Sequence, residues 1–292
     1  MRLNTFTYTI IVGSDYIVQS AIFSAFNETA ISSFVILSDI EKRIKEKIEK
    51  IGTPLKDWDI QINYGIKTGY NEAFIIDGKT REELIEKSKP TDLSSIIRPI
   101  LRGRDIKKYG YEFADLWLIN THNGTSTTPA ININDYPFIK EYLDKFYTQL
   151  SKRQDKGNTP YNLRSCAYMD DFSKQKIAWN RIASEKLFAY IDKDIFIQDS
   201  MHFFTGNHLK FLCSILNSKL FVWLMNLIVG KAAGGNAGNA DNVKNLTIPI
   251  PSFEQEQQIE KLLQEKDYQA IDKLVYEMYN LDKNEIDFIN FQ

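Results

Sequence analysis

Two carboxylates and a lysine near one strand end are the smallest donor set for a metal-dependent nuclease. Mg2+ takes hard oxygen ligands, and the lysine can orient the attacking water. Asp77-Gly78-Lys79, with Asp59 upstream, supplies those residue types after a strand-like run. Asp-Gly is also a leading turn dipeptide, so a tight turn accounts for the same string. Asp170-Asp171 with Lys174 and Lys176 fails on spacing, because no acid stands two residues before either lysine. Methyl transfer to a DNA base needs a glycine-rich turn for the methyl donor and an Asn/Asp-Pro-Pro-aromatic tetrapeptide around the flipped base. Asn158-Thr159-Pro160-Tyr161 comes nearest, but Thr159 stands where the first proline belongs, and IIVGSDY offers a single glycine. His122, His202, His208, Cys166 and Cys213 lack the close spacing of a zinc site, and none completes a nucleophilic triad. GGNAGN lacks the Gly-Lys-Ser/Thr ending of a phosphate loop. The chain is expected to have no catalytic residue, metal or cofactor of its own.

Binding chemistry is better represented. Tyr64 to Asn71 (YGIKTGYN) places Lys67, Thr68, Tyr70 and Asn71 on a loop bounded by two glycines, which lets backbone approach a sugar-phosphate chain closely. Ile96 to Gly110 carries Arg98, Arg102, Arg104, Lys107 and Lys108 against the single acid Asp105. Guanidinium forks suit phosphates and guanine edges. Lys140 to Lys186 holds ten basic and six acidic residues, with Arg153 and Arg164 among the cations. A solvated surface, or arginines paired with local acids, would produce the same counts.

The elements that must position these groups belong to an ordinary globular chain. Of 292 residues, 43% are hydrophobic and 25% charged, with a mean hydropathy of −0.33. This composition excludes a disordered chain, a collagen-like repeat and a disulfide-stapled miniprotein. Two cysteines in apolar stretches point to reduced thiols, and no secretory or transit pattern opens the sequence, so a cytoplasmic protein is expected. The longest apolar run, His208 to Val229, contains Lys210 and Lys219 and is expected as one buried helix on a sheet, not a membrane span. The net charge of −2 hides an asymmetry: Phe253 to Gln292 has 4 Lys/Arg against 10 Asp/Glu.

Helical spacing of Ile40, Ile44, Ile48 and Ile51 predicts a helix capped at Ser38 or Asp39 and ended by Gly52. Trp58 to Asp77 reads as a strand, the glycine-bounded loop and a second strand. LWLINTH is a further strand. PFIKEYLDKFYTQLSKR is a helix with Phe138, Tyr142, Phe146 and Leu150 on one face. KIAWNRIA, KLFAYID and DIFIQDSMHFF suggest three antiparallel strands, and Gln255 to Lys266 and Tyr268 to Asn280 two helices. Residues 1–36 suggest strand and short helical pieces, and the small-residue loop KAAGGNAGNADN a mobile connection.

Taken in order, six strings resemble the TaqI-like specificity domain, the target-recognition module of adenine-specific methyltransferases and fused restriction-methylation enzymes. They are KIEKIGTPLKDWDIQINYGIKTGYNEAFIID, IIRPILRGRDIKKYG with LWLINTH, YNLRSCAYMDDFSKQKIAWNRIA, QDSMHFF, LCSILNSKLFVWLM and LTIPIP. The resemblance covers residues 34–251. Residues 1–33 form an N-terminal segment outside it, and the helical tail 252–292 is similar to the terminal helices of the same enzymes and of type I specificity subunits. It implies an α+β fold, mostly antiparallel or mixed β with packed helices, that docks on double-stranded DNA and reads a short sequence. A methyltransferase or restriction subunit, or a covalently linked domain, would supply S-adenosylmethionine chemistry. The segment before residue 34 is too short for a methyl-donor-binding domain, so a non-catalytic module is expected. The competing expectations are a small metal-dependent nuclease at Asp59, Asp77 and Lys79, and a protein-protein adaptor using the C-terminal helices.

Overall fold

The computed structural model describes residues 37–182, 187–229 and 240–292. The expectations for residues 1–33 and for the small-residue loop through Asn239 lie outside them. Helix α1 (Asp39–Ile51) opens with a capping box in which Ser38 and Glu41 satisfy each other's backbone N–H groups, and it buries Ile44 and Ile48, as its periodicity predicts. Strand β1 (Thr53–Pro54) leads to β2 (Ile60–Tyr64), the single helical turn α2 (Asn71–Phe74) and β3 (Ile75–Asp77). The two strands expected around the glycine loop are therefore present but do not pair. Fully buried Ala73 and Phe74 turn the chain into a second core, and β2 and β3 lie in different sheets. Asp77 is not in a tight turn: its carboxylate accepts the Thr80 N–H at 2.8 Å and caps α3 (Gly78–Ser88). That helix buries little beyond Leu84, which leaves its apolar periodicity too faint to see in the sequence.

Strands β4 (Ile97–Leu101), β5 (Ile106–Lys107), β6 (Gly110–Tyr111) and β7 (Leu116–Ile119) follow. The expected single helix after Pro137 is two, α4 (Pro137–Asp144) and α5 (Tyr147–Lys152), and its inward stripe is Ile139, Leu143 and Leu150, while Phe138 is exposed. Next come β8 (Lys176–Asn180), β9 (Phe188–Ile191), β10 (Phe196–Ile197) and β11 (Met201–Gly206). The segment read as one strand, DIFIQDSMHFF, is split between two sheets. β10 runs parallel to β4, and β11 lies between β2 and β8.

The sheet β2–β11–β8–β9 is antiparallel and divides the two hydrophobic clusters among the described residues. Side chains alternate across a strand. Ile177, Trp179 and Phe204 thus enter one cluster with α1, while Ala178, Met201 and Phe203 enter the other with the mixed sheet β10–β4–β7–β3. Burial on both faces explains why MHFF and KIAW read as continuous apolar runs.

The apolar run from His208 is broken into α6 (Leu209–Leu216) and α7 (Lys219–Val229). Asn217, fully buried, accepts the Phe188 N–H at 3.1 Å and donates to its carbonyl at 2.7 Å, so the helix ends where its side chain is needed by β9. No helix among the described residues is long and apolar enough to cross a membrane. Helix α8 (Ala240–Lys244) and β12 (Thr247–Ile248), paired with β1, lead to α9 (Phe253–Glu265), α10 (Tyr268–Met278) and α11 (Lys283–Phe291), the last beyond the two helices expected. Ile259, Ile271, Val275 and Ile289 join the first cluster. The class is α+β.

Candidate nucleic-acid interface

Three strand ends meet on one side of the dividing sheet. Asn180, the last residue of β8, donates its side-chain amide to the Gly103 carbonyl at 2.9 Å, fixing the loop after β4. The Arg181 N–H donates to Ser200 O at 3.0 Å, and the Gln198 N–H to Leu101 O at 2.9 Å. The loop after β2 joins them through Gly65 N–H to Met201 O (3.0 Å) and Ile66 N–H to Ile197 O (2.7 Å). Gly65 is required here because a Cβ would overlap the Gln198 carbonyl, and Gly69 because its φ is +70°. The two glycines thus do different work.

These loops border two adjoining clefts. One, of about 510 Å3, is lined by Tyr64, Lys67, Arg164, Tyr168, Arg181 and Asp199, among others. The second, of about 620 Å3, is lined by Arg102, Arg104, Asn180, Arg181, Ile182 and Gln198, with Gly103 and Ser200. Arg181 belongs to both. It was missed in the sequence, although a cation directly after an apolar strand is a signal that the chain is leaving the core. Its guanidinium lies 5.7 Å from the ring of Tyr64, which is 52% exposed. Beneath Tyr64, His202 is buried against the Tyr64 and Trp179 rings, and burial followed by the Arg181 charge pushes its pKa down to about 4. It is a neutral histidine of the core.

The cations singled out in the sequence separate into two groups. Lys67 and Arg164 are half exposed and share Asp155 at 2.8 and 3.4 Å, leaving a surplus positive charge at the cleft mouth. The Lys67 hydrogen bond holds that carboxyl below its usual range. Arg104 and Lys108 are exposed, with no ion pair among the described residues. Lys107 is exposed and pairs loosely with Glu112 at 3.3 Å.

The remaining groups are occupied by the fold. Arg153 is buried against the Phe74 ring and donates to the carbonyls of Thr68, Asp155, Pro160 and Asn162. Burial pulls its pKa down to about 10. Thr68 is buried with it, its hydroxyl donating to Asn71 Oδ1 at 2.6 Å. Tyr70 packs on Phe146, while Asn71 is exposed. Arg98 is tied to Asp194 at 2.7 Å. Arg102 grips Asp105 through Nε (3.1 Å) and Nη2 (2.9 Å), and its own N–H donates to the same carboxylate. Burial would raise the Asp105 carboxyl, but those hydrogen bonds and the Arg102 and Arg104 charges outweigh it and hold it low. Asp59 and Asp77 serve Asn207 and the α3 cap respectively, and among the described residues no three acidic, histidine or cysteine side chains are grouped to hold a metal.

Residues 98–235 match the TaqI-like C-terminal specificity domain. No curated protein matches the chain. Among solved structures the chain is similar to the type IIL restriction-modification enzyme MmeI, solved in complex with DNA, with 14% identity and a TM-score of 0.57 over 82% of this chain and 35% of that one. It is also similar to the type IIG restriction endonuclease BpuSI, with 14% identity and a TM-score of 0.47 over 83% and 34%. The chain spans about a third of the length of these solved chains. At this identity the likeness to MmeI is one of fold.

Proposed function

We propose, from the TaqI-like specificity domain at residues 98–235, that this chain recognises a short sequence on double-stranded DNA and directs an adenine methyltransferase or endonuclease to it. The catalytic partner, a linked domain or a separate subunit, would use S-adenosylmethionine for methylation, and this chain would contribute no reacting group. The observation that carries the reading is the convergence of Lys67, Arg164, Arg181 and Arg104 on two adjoining clefts. Cations in that arrangement neutralise phosphates and release counterions, which supplies affinity without sequence preference. Sequence preference then requires side chains that reach base edges. Binding to a random duplex pool at several salt concentrations tests the reading. Enrichment of one sequence and an affinity that falls steeply with salt are expected; neither enrichment nor a salt slope would end it.

A further inference from the structure

The two clefts differ in how their polar groups are occupied. In the first, Lys67 and Arg164 lean on Asp155 and remain half exposed, an arrangement that tolerates movement of whatever charge they meet. Arg181, on the border of both clefts, spends one donor, Nη1, on Asp199 O at 3.3 Å. A guanidinium has five donors, so most of its fork is open. The half-buried Gln198 side chain makes no hydrogen bond among the described residues, yet its backbone is held from both directions by Leu101 O and by the Met201 N–H. Ile182, beside Arg181, is 69% exposed, an aliphatic side chain among cations where solvent would be poor company. Fixed backbone beneath unoccupied polar forks is what base reading needs, whereas a phosphate can be met by a swinging charge.

Resting on the target-recognition reading, we infer that Arg181 and Gln198 read base edges in the major groove, and that Lys67 and Arg164 hold the sugar-phosphate backbone beside them. An arginine fork matches O6 and N7 of guanine, and a glutamine amide matches N6 and N7 of adenine. An aliphatic group such as Ile182 suits the thymine methyl, which the same A·T pair presents in the major groove. The site read therefore contains a G·C pair and an A·T pair close together.

Selection from a random duplex pool by the full chain and its variants tests this. Arg181→Lys keeps the charge and loses the fork, so preference for guanine at one position is expected to fall about 10- to 100-fold, with the salt slope of the parent chain retained. Gln198→Glu exchanges the amide for an acceptor and is expected to move one position from adenine toward cytosine. Lys67→Ala is expected to weaken binding to every sequence alike and to reduce the salt slope by about one. Motifs for Arg181→Lys and Gln198→Glu identical to the parent's would overturn the base-reading assignment and leave target recognition standing. A parent chain that selects no motif would overturn both.

Discussion

Arg153 shows how far a residue's type can mislead about its use. A guanidinium in a basic stretch has the chemistry of a phosphate contact, but here it donates to four backbone carbonyls inside the fold. Arg153→Met is expected to destabilise the chain by about 3 kcal/mol, because the carbonyls lose a charged donor and stay buried; the shift of a urea midpoint measures it. His202 carries the matching pH prediction. Its folded pKa of about 4 lies below the ordinary value of 6.5, so the unfolded chain takes up the proton first. Stability from this residue is complete above pH 6.5 and is lost as pH falls from there toward 4. The difference in unfolding free energy between the parent and His202→Phe, followed across that window, is expected to slope with pH and to be flat above it.

At the scale of elements, the divided helix α6–α7 is the clearest departure from periodicity. Hydrophobic spacing continues through His208 to Val229 and gives no reason to stop at residue 217. The reason lies in β9, whose Phe188 backbone takes the Asn217 amide. Asp272 on α10 then accepts the Lys219 N–H at 2.8 Å and satisfies the start of α7. Asn217→Ala is expected to cost about 2 kcal/mol, since it strips the Phe188 N–H of its partner and empties a buried site. Thermal unfolding of the variant against Asp272→Asn would rank the two contacts, with Asn217 the larger. The start of α1, by contrast, was legible: of the two caps expected, Ser38 and Asp39, it is Ser38 that accepts the Glu41 N–H, a contact that needs no distant residue.

For the whole molecule, the prediction concerns which cations face outward together. Arg102 and Arg104 are two residues apart and chemically identical, yet one is clamped to a buried acid and the other borders the cleft with no ion pair among the described residues. Arg104→Ala is expected to weaken DNA binding about tenfold and lessen its salt dependence, with an unchanged melting temperature. Arg102→Ala is expected to lower the melting temperature first, because Asp105 is left buried with one partner fewer. Equilibrium binding and melting curves on the same two proteins separate the roles.

What the amino-acid order determined by itself was local: the α1 cap and stripe, most strand segments, the cation-rich stretches, and the likeness to a specificity domain. Each rests on interactions within a few residues or on a pattern that survives without coordinates. Tertiary structure decided which strands pair, where apolar runs break, and which arginines stay free. Those outcomes turn on partners far along the chain, such as Asp194 for Arg98 and Asp155 for Lys67 and Arg164. A charge is only as available as the acids and carbonyls that folding brings to it.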